Sequence, residues 1–410
     1  MEEELKPKLR FNNFEKPWQQ SLLMDQVEIR RGLTYKPSDV RSSGVRVLRS
    51  SNIVDDTFIL SDDDVFVDKG VVNIPKVSNG DILVTAANGS TKLVGKHAIL
   101  KNLPDDEIVV HGGFMLLFKT EQNYFVNAWM SSNEYKRVLQ FVQGGNGAIG
   151  NLSSTVLKSM KMSFPSVQEQ SAIGSFFRTL DDLLASYKDN LINYQSLKAS
   201  MLSKMFPKAG QTVPEIRING FEGEWEKYYL GDIFEQISNY IEPSEENELW
   251  SLTVEKGLTP KTERYKRDFL VKKNDKFKKV DLNEFVYNPM NLTLGSLDLN
   301  NNDITISVSG YYVVMKNIDV EKFNNDFLKI LLKTTYAIYQ YKQFATGTLI
   351  EKQRVQFPTF SEIPFYLPTI AEQQAIGSYF SNLDNLINSH KEKISQLETL
   401  KKKLLQDMFI

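Results

Sequence analysis

The chain has 410 residues, of which 41% are hydrophobic and 24% charged, enough for two to three domains that each bury a core. It has no cysteine, which excludes disulfides, thiol nucleophiles and cysteine-held zinc. A net charge of −2 and a pI of about 6.1 argue against a protein that grips nucleic acid by bulk charge alone.

The first residues, MEEELKPKLRF, are charged and lack an apolar core, so no signal peptide is expected there. No run of about 18 apolar residues follows anywhere, so no membrane span is expected and the cytoplasm is the expected location. Residues 1–164 read as a β-rich unit, with strand-type runs VRVL, VFVD, DILVTA, IVV and FMLLF. An apolar helical segment, YFVNAWMSSNEYKRVLQFV, and a glycine loop, GGNGAIG (144–150), close it.

Residues 165–207 then read as one long helix. Ser166 stands at an N-cap position with Glu169 three residues on, which predicts a capping box. Leu180, Leu184, Tyr187, Leu191 and Tyr194 recur in steps of four and three, the seam of a helix that wraps a partner helix. At 1.5 Å per residue the helix would be a rod of roughly 60 Å.

The pattern then begins again. PEIRINGFEGEWEKYYLGD (214–232) matches PKLRFNNFEKPWQQSLLMD (7–25), and residues 208–367 form a second unit with strand runs EFVY, ITISV and YYVVM. A helical segment, NDFLKILLKTTYAIYQYKQF, and the loop ATGTL (345–349) end it. Residues 368–410 repeat the tail, with Thr369 and Glu372 as the capping pair and Leu383, Ile387, His390, Ile394 and Leu397 as the seam. Held at an offset of 203, residues 165–206 and 368–409 share 18 of 42 identities without a gap. The fold class expected is α+β: two similar domains of mixed sheet and helices, related by internal duplication and joined through an antiparallel two-helix coiled coil. That coil would set the domains at opposite ends of a rigid spacer.

Catalytic constellations are missing from this reading. The three histidines (His97, His111, His390) have no ligand spacing, and His390 occupies the seam position of Tyr187. GSTKLVGKH (89–97) has five residues between its glycines and a histidine where a phosphate loop needs Ser or Thr. YNPMN (287–291) lacks the second proline and the aromatic of an adenine methyltransferase motif. Two basic stripes stand out instead. Residues 30–52 carry Arg30, Arg31, Lys36, Arg41, Arg46 and Arg49 against Asp39, and residues 261–279 hold nine basic residues against three acidic. Such stripes can neutralise phosphates, although a run of charge is as often a solvated face.

This layout resembles the specificity subunit of type I restriction–modification enzymes over the whole length. The carriers are the paired PSVQEQSAIGSFF and PTIAEQQAIGSYF segments, the two unit openings, and GDILVTAANGSTKLVGK (80–96) and FVYNPMNLTLGS (285–296). The resemblance implies two target recognition domains, each binding one half of a split asymmetric DNA site. It also implies a coiled coil that fixes the gap and docks two DNA methyltransferase subunits. Restriction subunits with translocase and nuclease activity would join them. S-adenosylmethionine, ATP and magnesium would belong to those partners, and no catalytic residue or cofactor to this subunit. The DNA-contacting residues expected are Arg46, Arg49, Ser50, Asn52, Asn88, Ser90 and Lys92 in the first unit. In the second they are Thr253, Lys256, Lys261, Arg264, Asn288 and Asn291. Asn88, Asn288 and Asn291 are equally readable as turn residues. A duplicated protein–protein scaffold without DNA binding is the competing function. Charge reversal at Lys272, Lys273, Lys278 and Lys279 would separate the two.

Overall fold

The computed structural model describes residues 5–143, 151–242, 244, 247–260, 277–347 and 353–410. The chain forms two compact units, one of residues 1–188 with 392–410 and one of residues 189–391. Each unit therefore takes the first half of one long helix and the second half of the other. The helices run over Val167–Lys204 and Ile370–Asp407, 38 residues each.

In the first unit an antiparallel sheet runs in the order Glu28–Arg31, Met115–Lys119, Ile82–Thr85, His97–Ile99. The second unit repeats it as Phe234–Ile237, Val313–Asn317, Phe285–Tyr287, Leu297–Leu299. Central strands such as ILVT and FVY are buried along their whole length because both faces are covered. A two-stranded ribbon closes each unit, Gln19–Leu22 with Lys161–Phe164 and Glu226–Tyr229 with Pro364–Leu367.

Beyond this shared frame the units diverge. Val109–His111 runs parallel to Val45–Leu48 in the first unit, while the second has a three-stranded sheet around Phe277–Val280 and a separate hairpin, Trp250–Thr253 with Gly257–Pro260. The apolar helical segment of each unit is two helices rather than one. Asn123–Ser131 and Asn133–Gln143 are broken at Ser132, and Asn325–Leu331 and Thr335–Phe344 at Thr334. Thr334 leaves the helical conformation and its hydroxyl caps the Ala337 amide, which starts a new helix.

The repeated tail residues do the same job in both units. Glu169 and Glu372 are buried, and each receives both arms of an arginine from the opening segment. Arg10 donates to Glu169 at 2.7 and 2.7 Å, and Arg217 to Glu372 at 2.7 and 2.6 Å. This corrects the expected capping box. Ser166 and Thr369 do accept from the Glu169 and Glu372 amides at 3.4 Å, but the carboxylates turn to arginine instead of back to the cap. Gln170 and Gln373 donate to the carbonyls of Pro165 and Pro368. A Cβ on Gly174 would lie 2.8 Å from the Phe125 amide nitrogen, so only glycine lets the two helices approach this closely.

The far ends of the helices complete the cores. In the first unit Phe409 packs on Trp18, Phe125 and Phe177 at ring separations of 6.1, 5.6 and 6.0 Å. In the second, Phe206 packs on Trp225, Phe327 and Phe380 at 6.5, 5.7 and 6.1 Å. Leu9 and Ile216 donate backbone bonds to the carbonyls of Asp407 and Lys204, which ties each opening segment to a helix end.

Within the first unit the two helix halves run antiparallel. Leu180, Leu184 and Leu397 cluster with Tyr187 and Ile394, and the ion pairs Lys188–Glu398 (2.8 Å) and Asp181–Lys401 (2.6 Å) flank them. The halves within the second unit pair the same way, with Leu383 and Ile387 buried and Leu191 half-buried. Tyr194 meets His390 edge to face at 5.1 Å, and Lys198 pairs with Asp384.

Candidate nucleic-acid interface

In the first unit, the rim of the four-stranded sheet gathers four loops at one place. Strand Ile82–Thr85 runs out into Ala86, Ala87 and Asn88, and register sets Met115 opposite Thr85. The Phe114 carbonyl accepts from the amides of Ala86 (2.9 Å) and Ala87 (3.1 Å). Asn88 donates from its amide to Ser50 Oγ at 3.1 Å and caps Ser90 N at 2.9 Å. Gly112 N bonds the Leu48 carbonyl at 2.8 Å, which draws in exposed Arg49. Asn151, also exposed, bridges Ala87 from the opposite side. Arg49, Ser50, Asn88 and Asn151 are thus brought by their backbones to the neighbourhood of the turn that carries Phe114.

The second unit builds the same rim from different residues. Register sets Val313 opposite Tyr287, so Asn288 leaves the strand beside the turn that carries Tyr311, with Met290 and Asn291 just beyond. Asn288 caps Met290 N at 3.0 Å, and Asn291 is exposed. Val355 N bonds the Pro289 carbonyl at 3.0 Å and brings exposed Arg354 to this rim, where Leu152 N bonding Ala86 brings Asn151 in the first unit. Sequence reading passed over Asn151, Arg354, Phe114 and Tyr311. Asn151 and Arg354 do stand 203 positions apart, the offset of the repeat, and that is a signal.

Several sequence candidates sit elsewhere. Arg46 is spent inside the first unit: it bonds Glu107 at 2.7 and 3.1 Å and Asp64 at 2.8 Å, and it lies 4.6 Å from the Phe66 ring centre. Its hydrogen bond to Glu107 raises the guanidinium above its ordinary value despite burial and draws the Glu107 carboxyl down. Asn52 is buried and bonds Arg49 N, the Ile59 carbonyl and Asp64. Both side chains are thus committed to partners inside the unit. Arg30 pairs with Glu28 and Arg41 with Asp68, so with Arg46 half of the first basic stripe's six cations have an acidic partner within the unit, while Arg31 donates to the neutral hydroxyl of Ser154. Ser90 is exposed beyond Asn88. Lys92 lines a cleft of about 750 Å³ together with Asp55, Lys136 and Lys402, away from the Asn88–Ser50 bond.

Thr253 and Lys256 are exposed at the tip of the second unit's hairpin, where Thr253 Oγ1 accepts from Lys256 N at 3.1 Å. Buried Asp298 pins that hairpin by accepting from Leu258 N at 2.9 Å. Burial pushes its carboxyl up, but Lys333 and Lys329 outweigh that and hold it below the ordinary value. A side chain on Gly257, at φ +64°, would collide with Asp298 Oδ2. Lys278 is buried, its ammonium donates to the Tyr312 carbonyl at 2.7 Å, and burial lowers its pKa, so it supports a turn and does not face solvent. Lys279 is half-buried and pairs with Asp281 at 2.8 Å. Lys261, Arg264, Lys272, Lys273 and the loop 144–150 lie outside the described residues, as does part of 345–349.

Among the described residues no group of three or more His, Asp or Glu is arranged to hold a metal, and no helix is long and apolar enough to cross a membrane. His97 is buried and bonds the carbonyls of Gly95 and Asn127, the contacts of a core residue.

The duplicated frame thus carries two rims that differ in their hydrogen-bonding residues. The family description for the type I restriction modification DNA specificity domain matches this chain twice, at residues 15–194 and 222–399, and the chain belongs to that family. It is a non-catalytic DNA-recognition subunit of type I restriction–modification. Among its relatives, a protein of Methanocaldococcus jannaschii assigned as the MjaX type I restriction enzyme specificity subunit is 24% identical over 402 residues, covering 95% of this chain and 92% of the relative. The MjaVIII specificity subunit of the same organism is 22% identical over 283 residues, 63% of each chain. The crystal structure of the type I restriction–modification S subunit of M. genitalium shares the fold, with a TM-score of 0.61 at 14% identity over 99% of both chains.

Proposed function

We propose that each unit reads one half of a split, asymmetric DNA target, and that the paired long helices fix the gap between halves. The observation that carries this is the contrast between frame and rim. Opening segments and tails repeat in register and the sheets repeat in strand order, whereas the rims differ: Arg49, Ser50, Asn88 and Asn151 in one unit, Asn288, Asn291 and Arg354 in the other. Identical readers would call for a palindrome, and different readers call for two unlike half-sites. Asparagine suits adenine and arginine suits guanine by paired hydrogen bonds in the major groove.

With a net charge of −2, phosphate neutralisation falls largely to partners. The helices dock two DNA methyltransferase subunits, which bring S-adenosylmethionine. Restriction subunits bring ATP- and magnesium-dependent translocation and cleavage, and the assembly works on DNA in the cytoplasm. Co-expression with a cognate modification subunit, followed by mapping of methylated adenines, tests the reading. A bipartite motif with unlike halves is expected. No new methylation, or a palindromic motif, would overturn it.

A further inference from the structure

Phe114 is 74% exposed and Tyr311 is 87% exposed, each at the tip of the turn that feeds the central strand of its unit. Aromatic rings left in water forgo the burial that normally places them inside. Neither ring hangs on a slack loop. In the first unit Met115 N closes the turn on the Gly112 carbonyl at 2.8 Å, while the Phe114 carbonyl is held by two amides. Gly32 lies so close under this turn that a Cβ there would fall 1.9 Å from the Gly112 oxygen. In the second unit Tyr312 N bonds the Ser309 carbonyl at 3.0 Å, and the buried Lys278 ammonium grips the Tyr312 carbonyl. A buried cation spent on the turn next to an exposed aromatic is a costly support unless the tip's position matters.

Polar residues lie next to each turn along the backbone. The Phe114 carbonyl holds the amides of Ala86 and Ala87, which lead straight into Asn88 and its partner Ser50, and Tyr287, paired with Val313 two residues past Tyr311, leads into Asn288. An apolar ring among hydrogen-bonding groups supplies what they lack, contact with a thymine methyl or a base face.

We propose that Phe114 and Tyr311 are base-contacting, specificity-determining residues, one for each half of the DNA target; this rests on the split-site reading above. Phenylalanine in one unit and tyrosine in the other add to the unlikeness of the halves.

The test uses the chain assembled with its modification subunits, and reads methylation rates on a set of duplexes with single substitutions at every position of the target. Phe114→Ala is expected to slow methylation of the cognate site about tenfold, the size of one good base contact, and to flatten preference at positions of one half only. Tyr311→Ala should do so in the other half. Tyr311→Phe keeps the ring and should keep the preference, and none of the three should change thermal unfolding. Unchanged position profiles in both alanine variants would overturn the proposal while leaving split-site recognition standing. Equal weakening across all positions would also overturn it. A wild-type complex without any sequence preference would sink the recognition reading itself, and this proposal with it.

Discussion

Arg10→Met leaves the Glu169 carboxylate, 1% exposed, without its bidentate partner. Breaking a buried pair from one side costs about 3–5 kcal/mol, because an uncompensated charge stays behind. For a unit of this size 1 kcal/mol moves the midpoint by about 2–4 °C, so a fall of about 6–20 °C is expected. Each unit holds two tryptophans, Trp18 and Trp129 in the first and Trp225 and Trp250 in the second. Thermal or urea unfolding followed by fluorescence in a Trp225→Phe/Trp250→Phe background therefore reports the first unit alone. The double replacement Arg10→Met with Glu169→Leu removes both charges and should cost less than Arg10→Met by itself. A single-variant cost below about 1 kcal/mol would refute the reasoning, as would a double variant equal to the sum of the singles.

Gly174→Ala should destabilise the first unit by about 1–3 kcal/mol, read as a shift in the urea midpoint, because its Cβ meets a backbone atom at 2.8 Å. Arg46→Ala should lower first-unit stability without shifting base preference, whereas Asn88→Ala should do the reverse; methylation profiling beside thermal unfolding separates them. Leu184→Lys places a charge in the seam with Leu180 and Leu397 and should abolish co-purification with the modification subunits. Retention of the partners would count against the helices as the docking element. Burial lowers the pKa of His97 and His111, so the folded first unit binds fewer protons than the unfolded chain. Its stability is then full above the ordinary histidine value of 6.5 and falls as pH drops below it. Urea unfolding at pH 7.5 and 5.0 should show that loss, and His97→Asn with His111→Asn should flatten it.

The frame was legible because duplication wrote it twice. Period-seven spacing exposed the seam, and short runs rich in β-branched and aromatic residues exposed the sheets. What stayed hidden depended on residues far apart in sequence. Glu169 looks like half of a capping box until Arg10, 159 positions away, takes its carboxylate. Arg46 looks like a phosphate contact until Glu107, 61 positions on, claims it. Phe114 reads as the first residue of an apolar strand, and nothing in FMLLF says that the ring stands outside the sheet. Charge and hydrophobicity along a chain report residue types, whereas a recognition surface is decided by which of them lack an internal partner.

The seating of Phe409 among Trp18, Phe125 and Phe177 has a consequence for synthesis. Residues 189–391 are one uninterrupted stretch, so the second unit has everything it needs once that stretch is made. Residues 1–188 wait for 392–410, about 200 positions later, which at 5–20 residues per second is a delay of about 10–40 s. The half translated first is thus the half that folds last. During that interval the faces of Trp18, Phe125 and Phe177 that Phe409 covers have no partner from the tail.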